Sequence, residues 1–223
     1  MSTQLNVLRV FVGDNDSGGN PLGVFLDGPA VSTVDRQSVA ADLGFSETVF
    51  VDDPSGRVEI YTPTKPLPFA GHPLVGTGWL LAEQGRPVDV LRPPAGAVPT
   101  WVDADGNRWI RGRAEWAPPF EFRQYDDPAE LEALTPPENA HQDVWAWLDE
   151  PAGVVRSRVF VSAIGIAEDE ATGAAAVRLV TQLGRPILIR QGVGSVLHAR
   201  PGPDGTAEVG GLVVLAETRD YPI

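Results

Sequence analysis

Glu47 is the residue whose setting in the sequence best suits proton transfer. It lies in Gly44-Phe-Ser-Glu-Thr-Val-Phe50, among apolar residues and where a predicted helix gives way to a predicted strand. A carboxyl group in such surroundings is partly desolvated, which raises its pKa toward the range useful for a general acid or base. The alternative is a strand glutamate whose side chain points into solvent. The sequence therefore makes Glu47 a candidate acid–base group.

His72 is a second candidate, because it stands between Gly71 and Pro73 at the start of a helix that carries almost no charge. An imidazole at a helix entrance could hold a substrate carboxylate or pass on a proton. A capping or loop histidine is the alternative interpretation. The other two histidines, His141 and His198, have no comparable setting and are interpreted as surface or strand residues.

Asp169 belongs to an acidic run, Glu168–Glu170, that precedes Thr172 and Gly173 at the start of a second uncharged helix. Acidic residues favour the first turn of a helix and its cap, so this position has an ordinary structural explanation. Three neighbouring carboxylates also resemble a metal site, but no His or Asp partner stands at metal-ligand spacing. We therefore predict no metal.

Gly192 and Gly194 form a fragment of a dinucleotide-binding fingerprint. The complete fingerprint needs a strand, a glycine turn and a helix in succession. Here the surrounding segment, Arg190–Ala199, is predicted to be a strand, and no helix follows it. The sequence therefore argues against dinucleotide binding at this pair.

Short strands and uncharged helices would have to position these residues. Helices are predicted over about Val34–Leu43, Leu74–Gln84 and Thr172–Leu183. Before the second helix lies a loop, Thr62–Pro73, whose four prolines are interpreted as incompatible with a helix. A Gly/Asn/Pro turn, Ser17–Pro21, is predicted to join the first two strands. Because a helix that is apolar on every side belongs in an interior, the second helix is expected to be buried.

A weak internal repeat predicts two similar domains. Tyr61–Gly85 and Phe160–Gly184 align without gaps, and each runs strand, loop, uncharged helix and final glycine. We predict an α+β fold with domains at residues 1–90 and 95–205, each a curled, mostly antiparallel, barrel-like sheet around a central helix. The tail, about residues 206–223, is predicted to return to the first domain. If the two helix N-termini face each other, their free N–H groups would attract an anion such as a substrate carboxylate.

Composition limits the classes of function. The 223-residue chain has a net charge of −13, which argues against nucleic acid as a partner. It has no cysteine, which excludes disulfides, thiolate zinc sites and a two-thiol racemase mechanism. No apolar run approaches the roughly 18 residues that span a bilayer, and the first residues do not resemble a signal peptide. We therefore expect a cytoplasmic protein with no membrane partner.

Four blocks of the sequence are distinctive when they are taken together and in order. They are Gly19-Asn20-Pro21-Leu-Gly-Val, Leu43-Gly-Phe-Ser46-Glu47-Thr48-Val-Phe50, Tyr61-Thr-Pro with Leu67-Pro-Phe-Ala-Gly71-His72-Pro73, and Gly165-Ile-Ala-Glu168-Asp169-Glu-Ala-Thr172-Gly173-Ala. In these blocks the chain resembles the phenazine-biosynthesis isomerase-like (PhzF-like) proteins, which share the diaminopimelate epimerase fold. The resemblance implies two similar domains with the active site between them.

The resemblance also implies roles for individual residues. Glu47 would be the catalytic acid–base residue, while His72 and Asp169 would position the substrate or assist proton transfer. The implied substrate-binding residues are Asn20, Ser46, Gly71, Thr172 and Gly173. No metal or organic cofactor is implied, and the expected partners are a small carboxylate-bearing substrate and a second copy of the chain in a homodimer.

Two residues and one segment depart from the family pattern. The last block usually reads Glu-Asp-Pro…Thr-Gly-Ser, whereas Glu170 stands here for the proline and Ala174 for the serine, which removes one hydroxyl from the site. The chain is also shorter than is usual for the family, between about Arg92 and Arg156. The cleft is therefore expected to be more open or differently lined.

These observations predict a cofactor-independent isomerase, with secondary metabolism as the expected setting. Glu47 would remove a proton from an activated C–H group of a small unsaturated amino or carboxylic acid. It would return the proton at another carbon and so shift a double bond. The alternative is a small-molecule-binding or structural protein that kept the fold and lost turnover.

Overall fold

The computed structural model describes residues 2–223 as fifteen strands and four α-helices. The first half contains β1 (Ser2–Val12), β2 (Gly18–Phe25), α1 (Arg36–Leu43), β3 (Glu47–Val51), β4 (Val58–Tyr61), β5 (Pro66–Leu67), α2 (Gly71–Glu83), β6 (Val90–Leu91), β7 (Val98–Val102) and β8 (Arg108–Gly112). The second half contains β9 (Glu121–Tyr125), α3 (Pro128–Glu132), β10 (Gln142–Asp149), β11 (Val154–Val161), β12 (Ile166–Asp169), α4 (Gly173–Leu183), β13 (Ile187–Gln191), β14 (Ser195–Pro201) and β15 (Ala207–Pro222).

The strands form one continuous mixed sheet. Its main path runs β5-β4-β3-β2-β1-β15-β14-β13-β11-β10-β9. Among the described strands, β2–β3, β9–β10 and β11–β13 pair in parallel, and the other pairs are antiparallel. The first half of the sheet packs on α2, and β14 and β15 pack on α4. The predicted α+β class, a curled and mostly antiparallel sheet with helices inside it, is confirmed.

The last strand, β15, belongs to both halves of the sheet. Its first residues pair with β14 and β8, and from Leu212 to Pro222 it runs antiparallel to β1. The end of the chain therefore lies beside its beginning. β7 pairs with β8, and β8 pairs with β15, yet β7 and β8 also pack on α2. The division into domains at residues 1–90 and 95–205 stays a prediction.

Burial explains why α2 and α4 carry so little charge. Ten of the thirteen residues of α2 and seven of the eleven of α4 are buried, so charged side chains there would be desolvated without compensation. Small residues allow close packing: a Cβ on Gly76 would lie 2.6 Å from the side chain of Leu22. None of the helices within residues 2–223 combines the length and apolar character needed to cross a bilayer.

The N-terminal ends of α2 and α4 touch backbone against backbone at Gly71 and Gly173. A Cβ on Gly71 would lie 2.6 Å from the Cα of Gly173, and a Cβ on Gly173 would lie 2.8 Å from the Cα of Gly71. No real Cβ tolerates such distances, so a side chain at either position would force the helices apart. The two glycines therefore fix the spacing of the residues that flank them.

Two predicted boundaries are wrong. α2 begins at Gly71 rather than Leu74, so His72 and Pro73 form part of its first turn. Proline is compatible with that turn because the first N–H groups of a helix have no partner within the helix. The predicted turn Ser17–Pro21 lies largely inside β2, where Gly18 and Gly19 absorb the irregularity with φ values of 61° and 87°.

Gly71→Ala should destabilise the protein by about 1–3 kcal/mol, the usual cost of overpacking a close contact. A loss of stability would be informative, because alanine within a helix is otherwise more stabilising than glycine by about 1 kcal/mol. The free energy of unfolding from urea titration measures the effect. A Gly71→Ala variant as stable as the wild type would show that the helix ends do not touch in solution.

Gly184→Ala is the control for this measurement. A Cβ at Gly184 would meet nothing within 4 Å, so the substitution reports only the strain of a left-handed backbone at φ 66°. We expect a cost of about 1 kcal/mol there.

Candidate active site

Glu47 is the first residue of β3, and its position is set by the end of α1. Gly44 takes a left-handed conformation, φ 67°, that stops the helix and turns the chain toward the strand. The Glu47 side chain is 14% exposed. Burial raises the pKa of its carboxyl group well above the ordinary value of 4.5, and the negative charge of Asp169 raises it further. The sequence-based expectation of a desolvated carboxyl group at this junction thus agrees with the geometry.

His72 lies directly against Glu47. Its Nε2 atom is 3.4 Å from Oε2 of Glu47, and its side chain is only 4% exposed. Within residues 2–223, neither of these two atoms has a hydrogen-bond partner, so the pair is close but not aligned for a hydrogen bond. Burial lowers the pKa of His72 to about 3, against the opposing effect of a hydrogen bond to the Pro21 carbonyl. The imidazole is therefore neutral at neutral pH, and the contact is not an ion pair.

Asp169 reaches the same place from the end of β12. The amide nitrogen of Asn20 donates to its Oδ1 at 2.8 Å, and the Thr172 hydroxyl donates to its Oδ2 at 2.6 Å. Burial raises the pKa of Asp169 to about 6, although these two hydrogen bonds lower it, and the neighbouring Glu170 carboxylate adds to the increase. Asp169 is thus a fixed carboxyl group that titrates close to neutrality.

Asn20 connects the two halves of the sheet at this point. It is 1% exposed, and its amide nitrogen also donates to the Ala171 carbonyl at 2.8 Å. Its amide oxygen accepts a hydrogen bond from the hydroxyl of Ser46 at 2.8 Å. One side chain therefore links the residue before Glu47 to the Asp169 carboxyl group in the other half of the chain.

Gln191, on β13, supports the start of α4 and was not identified from the sequence. Its side-chain oxygen accepts from the Thr172 N–H at 3.1 Å, while its nitrogen donates to the Asp169 carbonyl and the Thr172 hydroxyl, both at 2.9 Å. No local pattern distinguishes a buried strand glutamine from an exposed one. Its role follows only from the pairing of β11 with β13.

An apolar cleft opens over these groups. Its walls carry mostly hydrophobic side chains: Leu67, Phe69, Pro118, Phe120, Val161, Ile164 and Ile166. Glu47, Ser46, Asp169 and Thr172 also line it, together with Ala70 and Ala174 at the N-terminal ends of the two central helices. A wall of this kind excludes water from the carboxyl groups, which is the physical cause of their raised pKa values.

His141 also lines this cleft, which corrects its interpretation as a residue without a functional setting. Its Nδ1 atom lies 2.8 Å from the Pro119 carbonyl, and its ring stacks on Phe120 with centroids 4.3 Å apart. Lys65 lines the cleft from the first half of the chain. His198 lies elsewhere, on β14, with its ring centroid 6.1 Å from that of Trp109.

The structure brings the residues that the sequence singled out close together, although Gly71 and Gly173 contribute only backbone atoms. Ser46, Glu47, Asp169 and Thr172 line the cleft, whereas His72 and Asn20 lie behind this lining. His72 lies against Glu47, and Asn20 is hydrogen-bonded to Ser46 and Asp169. Direct contact of His72 or Asn20 with a substrate stays a prediction. Gly71 and Gly173 form the helix contact instead of presenting side chains. In the described part of the chain, residues 2–223, no group of three or more His, Asp or Glu side chains is arranged to hold a metal ion.

This arrangement is suited to moving a proton on a bound anion. A carboxyl group with a raised pKa can accept and return a proton near neutral pH. The first N–H groups of a helix have no partners within it and favour negative charge, and residues at the starts of both α2 and α4 line this cleft. Proton transfer and anion binding are therefore available within one site.

Comparisons with known proteins agree on one family. The model of a family described as phenazine biosynthesis-like protein matches residues 10–146. The trans-2,3-dihydro-3-hydroxyanthranilate isomerases of Pseudomonas aeruginosa and Pseudomonas chlororaphis are 30% and 31% identical to the chain, in each case over 75% of this chain and 75% of the relative. A crystal structure of a PhzF-family phenazine biosynthesis protein from Bacillus anthracis matches with a TM-score of 0.80 at 17% identity, over 100% of both chains, which shows a shared fold.

His72 should remain neutral between about pH 5 and 8, because burial holds its pKa near 3. NMR of the ¹⁵N-labelled imidazole measures this directly. The unfolded chain takes up this proton near pH 6.5 and the folded protein does not until about pH 3, so this group makes stability fall as pH decreases through that window. The urea-unfolded protein is the control and should titrate near 6.5. Titration of His72 near 6.5 in the folded protein would contradict the buried site.

Proposed function

The chain belongs to the phenazine biosynthesis-like protein family and is an isomerase, and we propose that it shifts a double bond in a small unsaturated amino or carboxylic acid with Glu47 as the proton carrier. The observation that carries this proposal is the burial of Glu47 against a neutral His72 in an apolar cleft. Two relatives are named for an anthranilate derivative, a carboxylate that bears an amino group, and this supports the substrate class.

In the proposed reaction, the ionised form of Glu47 removes a proton from a carbon adjacent to a conjugated system. The electron pair of that C–H bond enters the conjugated system, and the double bond migrates. The protonated carboxyl group then delivers the same proton to a second carbon, so Glu47 ends the cycle ionised, as it began. Substrate and product are isomers, and no other reactant is consumed. A raised pKa suits this task because the group must be strong enough as a base and still able to give the proton back.

The neutral state of His72 matters for this cycle. A cation 3.4 Å from Glu47 would stabilise the carboxylate and lower its pKa, which would weaken it as a base. A neutral imidazole leaves the carboxyl group free to change protonation state. Its unpartnered Nε2 atom can accept a hydrogen bond from the protonated carboxyl group or from an N–H or O–H group of the substrate.

The helix ends support a carboxylate on the substrate. Three residues at these ends, Ala70 and Thr172 before the helices and Ala174 inside α4, line the same cleft as Glu47. The partial positive charge at two helix N-termini offsets the repulsion between a substrate carboxylate and the two acidic side chains. Ala174 presents only a methyl group, so recognition at this wall relies on backbone N–H groups.

The apolar walls support the return of the proton within the site. Aromatic and branched side chains such as Phe69, Phe120 and Ile164 form much of the cleft wall. A cleft that excludes water limits exchange of the abstracted proton with solvent before it is delivered.

Glu47→Gln should lower the rate of isomerisation by about 10²–10⁴-fold, because the amide keeps the size of the side chain but cannot accept and return a proton. Thermal stability should be unchanged or slightly higher, since a buried carboxyl group that ionises reluctantly costs stability once it is charged. The assay incubates the protein with candidate unsaturated amino and carboxylic acids and follows formation of the isomeric acid by NMR. Repeating it in deuterated water measures the fraction of the transferred proton that comes from solvent.

Glu121→Gln, an exposed carboxylate on β9, is the matched control and should behave as the wild type. Near-normal isomerisation by Glu47→Gln on a proven substrate would refute Glu47 as the proton carrier. Wild-type protein that binds the candidate acids without isomerising any of them would contradict the proposed reaction. Loss of folding in Glu47→Gln would show that this residue is structural.

A further inference from the structure

Glu170, the residue after Asp169, takes part in a second connection between the halves of the sheet. Its carboxylate accepts hydrogen bonds from the Val193 N–H at 3.0 and 3.1 Å and from the Ser195 hydroxyl at 2.8 Å. The same hydroxyl accepts a hydrogen bond from the N–H of Gly19, on β2, at 2.8 Å. Glu170 therefore reaches β2 through one intermediate side chain.

The glycines around this connection are required by it. Gly192 has φ 57°, and a Cβ there would collide with the Glu170 carboxylate. Gly18 has φ 61°, and a Cβ there would lie 2.5 Å from the backbone nitrogen of Ser195. The Gly192–Gly194 segment, which resembles a fragment of a dinucleotide fingerprint, is thus a tight turn between β13 and β14 that closes around a carboxylate.

The residues beside Gly19 and Glu170 form the hydrogen bond already described at the active site. Asn20 follows Gly19, and Asp169 precedes Glu170; Asn20 donates to Asp169 at 2.8 Å. Two consecutive residues of β2 are therefore connected to two consecutive acidic residues, Asn20 directly to Asp169 and Gly19 to Glu170 through Ser195. Because Asn20 also accepts from Ser46, a shift of β2 would move Asp169 relative to the strand that carries Glu47.

We propose that Glu170 is a positioning residue, which acts through Ser195 and Gly19 to hold Asn20 in place and so keeps Asp169 and Glu47 in one cleft. The catalytic part of this inference rests on the proposed function of Glu47, whereas the structural part does not. Proline, which the family pattern has at this position, offers no side-chain acceptor. The connection is therefore a feature of this chain's own sequence.

The charge of Glu170 also affects the active site, through its electrostatic effect on Asp169. Two carboxyl groups face Asp169: Glu47 across the cleft and Glu170 next along the chain. His72 lies beside Glu47, and Lys65 and His141 line the same cleft. The Glu170 carboxylate contributes to the raised pKa of Asp169. On the other side of Asp169, Glu168 is paired with Arg158 through two hydrogen bonds of 2.8 and 2.6 Å.

Three substitutions separate the hydrogen bonds from the charge. Glu170→Gln keeps an acceptor oxygen for Val193 and Ser195 but removes the charge. Ser195→Ala keeps the charge but breaks the connection to Gly19. Glu168→Gln is the matched control, since it removes a charge one residue from Asp169 without touching the connection. The measurements are the titration of the ¹³C-labelled Asp169 carboxyl group, hydrogen exchange of the Gly19 amide, and kcat and KM as functions of pH.

Glu170→Gln should lower the pH at which Asp169 titrates and move the acidic side of the pH–rate profile in the same direction. Ser195→Ala should speed exchange of the Gly19 amide about tenfold. It should also reduce kcat about fivefold to tenfold with a smaller change in KM, as expected for a hydrogen bond of about 1 kcal/mol that positions a reacting group. Glu168→Gln should leave all three measurements at the wild-type values.

A wild-type exchange rate at Gly19 in Ser195→Ala would overturn the positioning role, and an unchanged Asp169 titration in Glu170→Gln would overturn the electrostatic effect. The same applies if Glu168→Gln shifts the Asp169 titration as much as Glu170→Gln does. The first two measurements need no substrate. If they move as expected while Glu47→Gln keeps normal turnover, the positioning role of Glu170 stands and the proposed role of Glu47 fails.

Discussion

The contact between the N-terminal ends of α2 and α4 is the constraint on which the rest of the site depends. Gly71 and Gly173 meet with no room for a Cβ on either, so the two helices start at one point from opposite halves of the chain. This brings Asp169, just before α4, to the same cleft as Glu47, and it places His72, the second residue of α2, directly against Glu47. It also brings the N-terminal ends of two helices together, where the first N–H groups have no partners within their own helices. The positions of the buried carboxyl groups and of the helix ends thus share a single geometric cause.

The contact between the ends of α2 and α4 also brings buried polar side chains together at an energetic cost. Two buried carboxyl groups repel each other when both are ionised, and the neighbouring His72 is neutral at neutral pH, so its side chain does not offset their charge. Oε2 of Glu47 and Nε2 of His72 are buried without hydrogen-bond partners, which costs about 1–3 kcal/mol for each such group. Hydrogen bonds from Asn20, Thr172 and Gln191 fix Asp169 and the start of α4 and offset part of this cost. A bound substrate that supplies the missing partners would relieve it, so strain at this site is consistent with a role in binding and proton transfer.

Sequence patterns were sufficient for the features that depend on local chemistry. The setting of Glu47 between a helix and a strand, and the uncharged character of two helices, predicted a desolvated carboxyl group and a buried core. Motifs also placed His72 and Asp169 in one site. The remaining features depend on contacts between distant segments: the Gly19–Ser195 hydrogen bond spans 176 residues and the Asn20–Asp169 bond spans 149. No local pattern signals that Gln191 or Ser195 is buried against them, or that His141 faces the cleft. The sequence predicts a turn at Asn20 because glycine and proline usually mark turns. In the structure, two glycines with positive φ keep that segment in β2.

The most direct test of this account is a titration of the Glu47 carboxyl group in the free protein. Glutamate labelled with ¹³C at Cδ gives one resonance for each side chain, and the resonance missing from Glu47→Gln identifies Glu47. The account predicts that this resonance titrates well above the ordinary value of 4.5, because the cleft desolvates the carboxyl group and Asp169 adds negative charge. A midpoint near 4.5, among the exposed glutamates, would show that Glu47 is solvated and would contradict the mechanism.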